Sequence, residues 1–273
     1  MNFLKYLYYF FENIILLHNL RAKNFVIITP RFIAILFKKI IIFNKKKNKF
    51  FTQNIRNKFD INTVFQIFGY EEYNLKKILK SYKFLLDSEI SNKKNLIIDC
   101  GSNIGSSSRY FSEMYNKSKI IAIEAEKQNY EFSKKNIFKN NTIIQNNAVS
   151  SSKQIFVIRK MNDPRAHTVN FKRSKTRKKS KPSVVINEIV KKYYNYNPFI
   201  IKIDIEGAED DLFKKNVQWL EKFEIVIIEI HDWMMPYKAI SSNFITALSN
   251  TLRKNKRDLI LQGENLISIK IKK

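Results

Sequence analysis

From residue 96 onward the chain alternates short apolar runs with amphipathic stretches. Residues 96–99, 119–124 and 142–145 are isoleucine-rich runs that predict short buried strands. Residues 106–115 and 128–138, lying between them, predict helices. Strand, helix, strand, helix, strand is the repeat of a parallel sheet covered on both faces, so the fold class is α/β. The pattern resumes with a strand at 199–204, a helix from about Glu209, and a strand at 224–230. The final DLILQGENLISIKIK predicts an antiparallel hairpin turning at 262–265. Mostly parallel strands closed by such a hairpin make a mixed sheet.

The flanks read differently. Residues 1–50 are apolar, basic and read as a helical extension; the polar run KKKNK at 45–49 marks its boundary with a main domain over 51–273. Residues 70–86, YEEYNLKKILKSYKFLL, have the spacing of an amphipathic helix. Between 151 and 192 the rhythm breaks. Residues 155–158 and 184–187 suit a pair of short strands, and a basic insertion occupies about 159–183. Its centre, FKRSKTRKKSK, holds seven basic residues and no acid, which predicts an exposed loop.

Composition narrows the partners. The net charge of +26 implies attraction to an anionic surface: nucleic acid, an acidic glycan or lipid, or a membrane face. A Lys-, Asn- and Ile-rich skew in base composition accounts for part of that excess equally well. Cys100 is the sole cysteine, which excludes intrachain disulfides and cysteine-based metal sites and fits a reducing, cytoplasmic setting. The leader MNFLKYLYYFFENIILLHNL lacks a small-residue cleavage pattern. Neither it nor 25–43, broken by Arg31, Lys38 and Lys39, offers eighteen uninterrupted apolar residues. Both suit a helix lying on an anionic membrane surface, such as the inner face of a membrane, or packed on the domain, and His18 is structural or interfacial there.

The chemistry concentrates at strand ends. In LIIDCGSNIG, 96–105, Asp99 closes a strand and Gly101 and Gly105 bracket a tight turn. A dinucleotide fingerprint needs glycine where Asn103 stands, so a close pyrophosphate approach is lost. Asp99 instead suits a ligand carrying an ammonium group, as S-adenosylmethionine does. Glu124 closes the next strand about twenty residues on, where a carboxylate accepts from ribose hydroxyls. Asn147 and Ala148 follow the third strand, at the adenine position.

A second acidic cluster lies in IIKIDIEGAEDDLF, 200–213. Asp204 and Glu206 point to one cleft; Glu209, Asp210 and Asp211 are helix-start acids. Glu229 and His231 alternate across Ile230 and share a face. His231 is the candidate general base, oriented by Glu229 or Asp204, with Glu206 on the acceptor side. Asp204, Glu229 and His231 could alternatively hold a divalent cation, although no residue is assigned to a metal. Trp233 and His167 are candidates to line the acceptor site, while Trp219 reads as packing.

These motifs together resemble the FkbM family of S-adenosylmethionine-dependent methyltransferases. The matching pieces are IIDCGSNIGSSSRYF at 97–111, IIAIEAE at 120–126, NNAVS at 146–150, IKIDIEGAE at 201–209, VIIEIH at 226–231 and ENLISIK at 264–270. The resemblance spans about 60–271 and leaves out 1–50 and the basic insertion. It implies a seven-stranded, Rossmann-like class I methyltransferase domain that methylates an oxygen, often a hydroxyl on a sugar, glycan or other small hydroxylated acceptor. By motif match it places Asp99, Gly101 and Gly105 in the methionine-side loop, makes Glu124 the ribose acid, and makes Asp204 and Glu206 an acidic signature. Two rivals remain. RNA methylation would use the basic surface, yet its basic loop offers only Phe171 for stacking. A non-enzymatic membrane adaptor would have no need of Asp99, Gly101, Gly105 and Glu124.

Overall fold

The computed structural model describes residues 23–82, 94–137, 140–159, 168–172 and 181–271. Among these, strands β4 (Asn95–Cys100), β5 (Lys119–Ile123), β6 (Thr142–Gln145), β10 (Asn197–Ile203), β11 (Ile225–Glu229), β12 (Arg257–Gln262) and β13 (Asn265–Lys270) form one sheet. Its order is β12-β13-β11-β10-β4-β5-β6. The five strands from β6 to β11 run parallel, and the β12–β13 hairpin adds antiparallel to β11. The expected mixed α/β sheet is therefore present, with the Rossmann-like architecture of a class I methyltransferase.

Every residue of β4 is buried, as a central strand covered on both faces requires. Alternation sends Ile97, Ile120 and Ile227 into one core and Leu96, Ile98, Ile121, Ile201 and Ile228 into the other. The chain steps outward from β4 through helix α4 (Ser106–Met114), β5 and helix α5 (Lys127–Ser133) to β6. It then returns to the other side of β4 through helix α6 (Ile186–Lys192) and β10. The connections therefore diverge between β4 and β10, which opens a crevice at their carboxyl ends.

The N-terminal stretch differs from the helical expectation. A helix, α1 (Arg31–Phe37), is present, but β1 (Phe25–Ile27), β2 (Lys39–Asn44) and β3 (Lys49–Asn54) surround it as an antiparallel sheet. Burial along β2 alternates, with Ile40 and Ile42 inside and Lys39 and Ile41 outside, which is the strand period. The KKKNK run turns the β2–β3 hairpin and is no domain boundary. Phe25, Ile27, Ile40 and Ile42 join the same core as Ile97 and Tyr110. Residues 1–22 lie outside the described residues.

Two further segments depart from expectation. Within 70–82 only α3 (Lys76–Leu79) is helical. Glu71, at φ +51°, breaks the run, and its buried carboxylate accepts from the Asn24 and Phe25 backbone N–H groups and from the Asn74 amide. The segment is thus an anchor for β1. Ahead of it, Asn57 caps helix α2 (Lys58–Val64), which continues as one π-type turn over Phe65–Gly69. In the insertion, β7 (Ile155–Arg159) pairs with β8 (Thr168–Lys172) and β9 (Lys181–Pro182). The strand expected at 184–187 reduces to a Val149–Val184 bridge, because Ile186, Ile189 and Val190 bury one face of α6 at helical spacing. Most of the basic loop, 173–180, lies outside the described residues, as does His167.

Candidate active site

The turn after β4 is held from both sides. The backbone N–H groups of Gly101 and Ser102 donate to the Ile123 carbonyl, and Asp204 N–H donates to the Cys100 carbonyl. Gly101 sits at φ +80°, and a Cβ there would lie 1.7 Å from the Asp204 carbonyl oxygen. Glycine lets the two strand ends meet. Asn103, also left-handed at φ +48°, donates its N–H to Glu124 Oε2 at 2.7 Å, and Glu126 N–H reaches Oε1 at 2.8 Å. Burial raises the Glu124 carboxyl to about 7, against the lowering effect of those two N–H groups.

A cavity of about 270 Å³ opens on this turn and runs to the acids beyond β10 and β11. Gly101, Asn103, Glu124, Asn147 and Ala148 all line it, as their sequence positions suggested. Ser102 Oγ and Asn103 Oδ1 are buried there without a hydrogen-bond partner. Both atoms are left to bond a bound ligand or water. Asn147 is fixed by donating to the Pro182 carbonyl at 2.8 Å.

Two turn residues have other work. Asp99 is fully buried, and its Oδ2 accepts from the Ser107 and Ser108 hydroxyls at 2.6 and 2.5 Å. The acid pins the start of α4 to β4 and does not line the cavity, so it is unavailable to a ligand's ammonium group. Gly105 likewise lies off the cavity. Its φ of +86° and its closeness to Ile137 make it a packing glycine.

The far end of the cavity is acidic. Asp204, Glu206 and Glu229 line it, joined by Glu72 and Glu264, with Trp233 at 74% exposure on the rim. His231 lies beneath these acids at 1% exposure. Its Nδ1 is 2.9 Å from Glu209 Oε1, and its Nε2 is 3.5–3.6 Å from oxygens of Asp204, Glu206 and Glu229. Burial disfavours the charged ring, but Glu209, Glu229 and Asp204 override it and push the pKa up to about 11. His231 is not among the residues that line the cavity, so at this end the carboxylates, and not the ring, face the open space. Burial and Asp204 raise Glu206 to about 8. Asp204, Glu206 and His231 also offer ligand atoms within 4.8 Å of one another, with Glu206 in the place expected for Glu229; this set could hold a divalent cation only with the His231 ring deprotonated.

Seven contributors carry little or no signal in the sequence. Lys202, 2% exposed, donates from Nζ to the Gly101 carbonyl at 2.9 Å and lies 3.1 Å from Asp204 and 3.4 Å from Asp99. Against the cost of burial, Asp204, Tyr73 and Asp99 hold its pKa well above the ordinary lysine value. A lone lysine inside the isoleucine run IIKIDI was the available signal. Glu209 sits among acids that read as helix-start residues. Thr63, Gln66, Ile67, Glu72 and Tyr73 close the cavity from the N-terminal side, and no local motif announces them.

The Methyltransferase FkbM domain family matches residues 99–255, more than half of the chain. The chain belongs to the FkbM methyltransferase family. It is accordingly an S-adenosylmethionine-dependent O-methyltransferase. No curated protein matches the sequence. Among solved structures, a precorrin-6y C5,15-methyltransferase from Geobacter metallireducens is 10% identical over 70% of this chain and 87% of that one, with a TM-score of 0.35. An S-adenosylmethionine-dependent methyltransferase from Aquifex aeolicus is 13% identical over 77% and 95%, at 0.39. A methyltransferase from Geobacter sulfurreducens is 13% identical over 70% and 79%, at 0.36. Likenesses this remote say nothing about the chemistry of this chain. The FkbM cofactor fits the cavity: Ser102 and Asn103 present unpaired polar atoms, and Glu124 keeps free lone pairs for hydroxyl donors.

Two outcomes follow for this FkbM site. Lys202→Met removes the cation between Asp99 and Asp204, and should cost about 3–5 kcal/mol of stability in urea unfolding; an unchanged midpoint contradicts the pairing. Glu124, whose folded pKa is raised, takes up a proton as pH falls through about 7. Its acceptor capacity falls with it, so S-adenosylmethionine should bind about tenfold more weakly near ~pH 6 than near ~pH 8 by calorimetry. A flat profile contradicts the ribose assignment.

Proposed function

We propose that the acceptor is a hydroxyl of a sugar or glycan, held at the acidic end of the cavity by Asp204, Glu206, Glu229 and Trp233. The observation that carries this reading is the shared cavity: the Asn103–Glu124 turn and the three carboxylates line one space. Bound S-adenosylmethionine supplies a methyl group already activated by its positive sulfur. The protein's task is then to place an acceptor oxygen in line and take its proton.

The carboxylates suit both tasks. Each can hydrogen-bond a sugar hydroxyl, and Asp204 and Glu229, both partly exposed, are placed to receive a proton that buried His231 is not. Glu209 fixes the His231 ring, and the ring's positive charge holds the three acids together. Trp233 offers an exposed aromatic face on the rim, suited to a sugar ring. Five acids at the far end of the cavity argue against a phosphate-rich acceptor, which weakens the RNA reading despite the net charge of +26.

The test is methyl transfer from labelled S-adenosylmethionine to a panel of neutral glycans, acidic glycans and RNA. Label in the glycans is expected, and label in RNA alone overturns the assignment. With an accepted glycan, Glu229→Gln should lower kcat about 100-fold. Its S-adenosylmethionine Kd should stay within about twofold. Near-normal turnover would remove Glu229 from the acceptor site.

A further inference from the structure

The N-terminal sheet has an apolar face on each side. Phe25, Ile27, Ile40 and Ile42 enter the core, yet the opposite face is not polar. Ile41 and Phe50 are exposed on β2 and β3. Helix α1 beside them buries only Ala34 and leaves Phe32 60%, Leu36 75% and Phe37 66% exposed. Large apolar side chains gathered in this way on one short segment mark a contact surface.

The charge around this face selects the occupant. Residues 23–56 contain nine basic side chains and no Asp or Glu. Lys38 and Lys39 follow α1 directly, and Lys45, Lys46, Lys47 and Lys49 crowd the hairpin between β2 and β3. A two-fold contact with a second copy would set this basic rim against itself. An anionic lipid surface offers both complements: acyl chains for the apolar residues and negative headgroups for the lysines. Among the described residues no helix is long and apolar enough to cross a membrane. We propose that the face formed by α1 and the β2–β3 hairpin docks on an anionic lipid bilayer, with Phe32, Leu36 and Phe37 inserted and the lysines at the headgroups.

This face lies on the N-terminal sheet, and none of its residues lines the cofactor cavity, so the proposal stands apart from the glycan reading. It is tested by sedimenting the full chain with vesicles of phosphatidylcholine, alone or mixed with phosphatidylglycerol. Binding to the mixed vesicles is expected, weakening as salt rises. The double variant Leu36→Asp/Phe37→Asp changes exposed positions only. It should keep the thermal midpoint and S-adenosylmethionine affinity while losing at least about tenfold in vesicle partition. Lys45→Glu/Lys46→Glu should weaken binding to the anionic vesicles in the same direction. Equal binding to neutral vesicles overturns the proposal, as does no binding to either kind or a double variant that partitions like the parent. A dimer in light scattering that the double variant abolishes, without vesicle binding, assigns the face to a second copy instead.

Discussion

One buried ammonium group holds the two halves of the site together. Lys202 reaches from β10 to the Gly101 carbonyl on the cofactor turn and to the carboxylates of Asp99 and Asp204. Those groups come from the two central strands between which the crevice opens. Without a cation at this point, two acids would face each other in a low-dielectric interior, and the Gly101–Asp204 approach would lose its support. The turn, the crevice and the acidic end all take their positions from this contact.

Charge is distributed unevenly, and that division organises the molecule. The chain carries a large positive excess, yet the cavity ends in acids balanced by Lys202 and His231. The positive charge is dense on the N-terminal segment instead, beside exposed aromatic and aliphatic side chains. A basic exterior and an acidic acceptor pocket have separate partners. Net charge alone, which drew attention to nucleic acid, therefore speaks for the surface and not for the site.

What was legible in the sequence was what is encoded locally. The strand-turn LIIDCGSNIG and the acid closing the next strand fall where the alternating pattern puts them, and Gly101, Asn103 and Glu124 line the cavity. Asp99 shows the limit. Its position was clear, but its direction depended on hydroxyls in the next helical turn, Ser107 and Ser108. Likewise His231 shares a strand end with Glu229, while its burial and its bond to Glu209 arise only from packing. The N-terminal strands were hidden for a related reason. Their outward positions are apolar as well as their inward ones, so a run such as KIIIF shows no alternation until burial reveals it.

The most direct measurement is a crystal structure of the chain with S-adenosylhomocysteine. The ribose hydroxyls are expected on Glu124, the base beside Asn147 and Ala148, and the amino-acid end toward Gly101, with the sulfur turned to the Asp204–Glu206–Glu229 end. A ligand seated outside this cavity, or a sulfur pointing away from those acids, would contradict the arrangement.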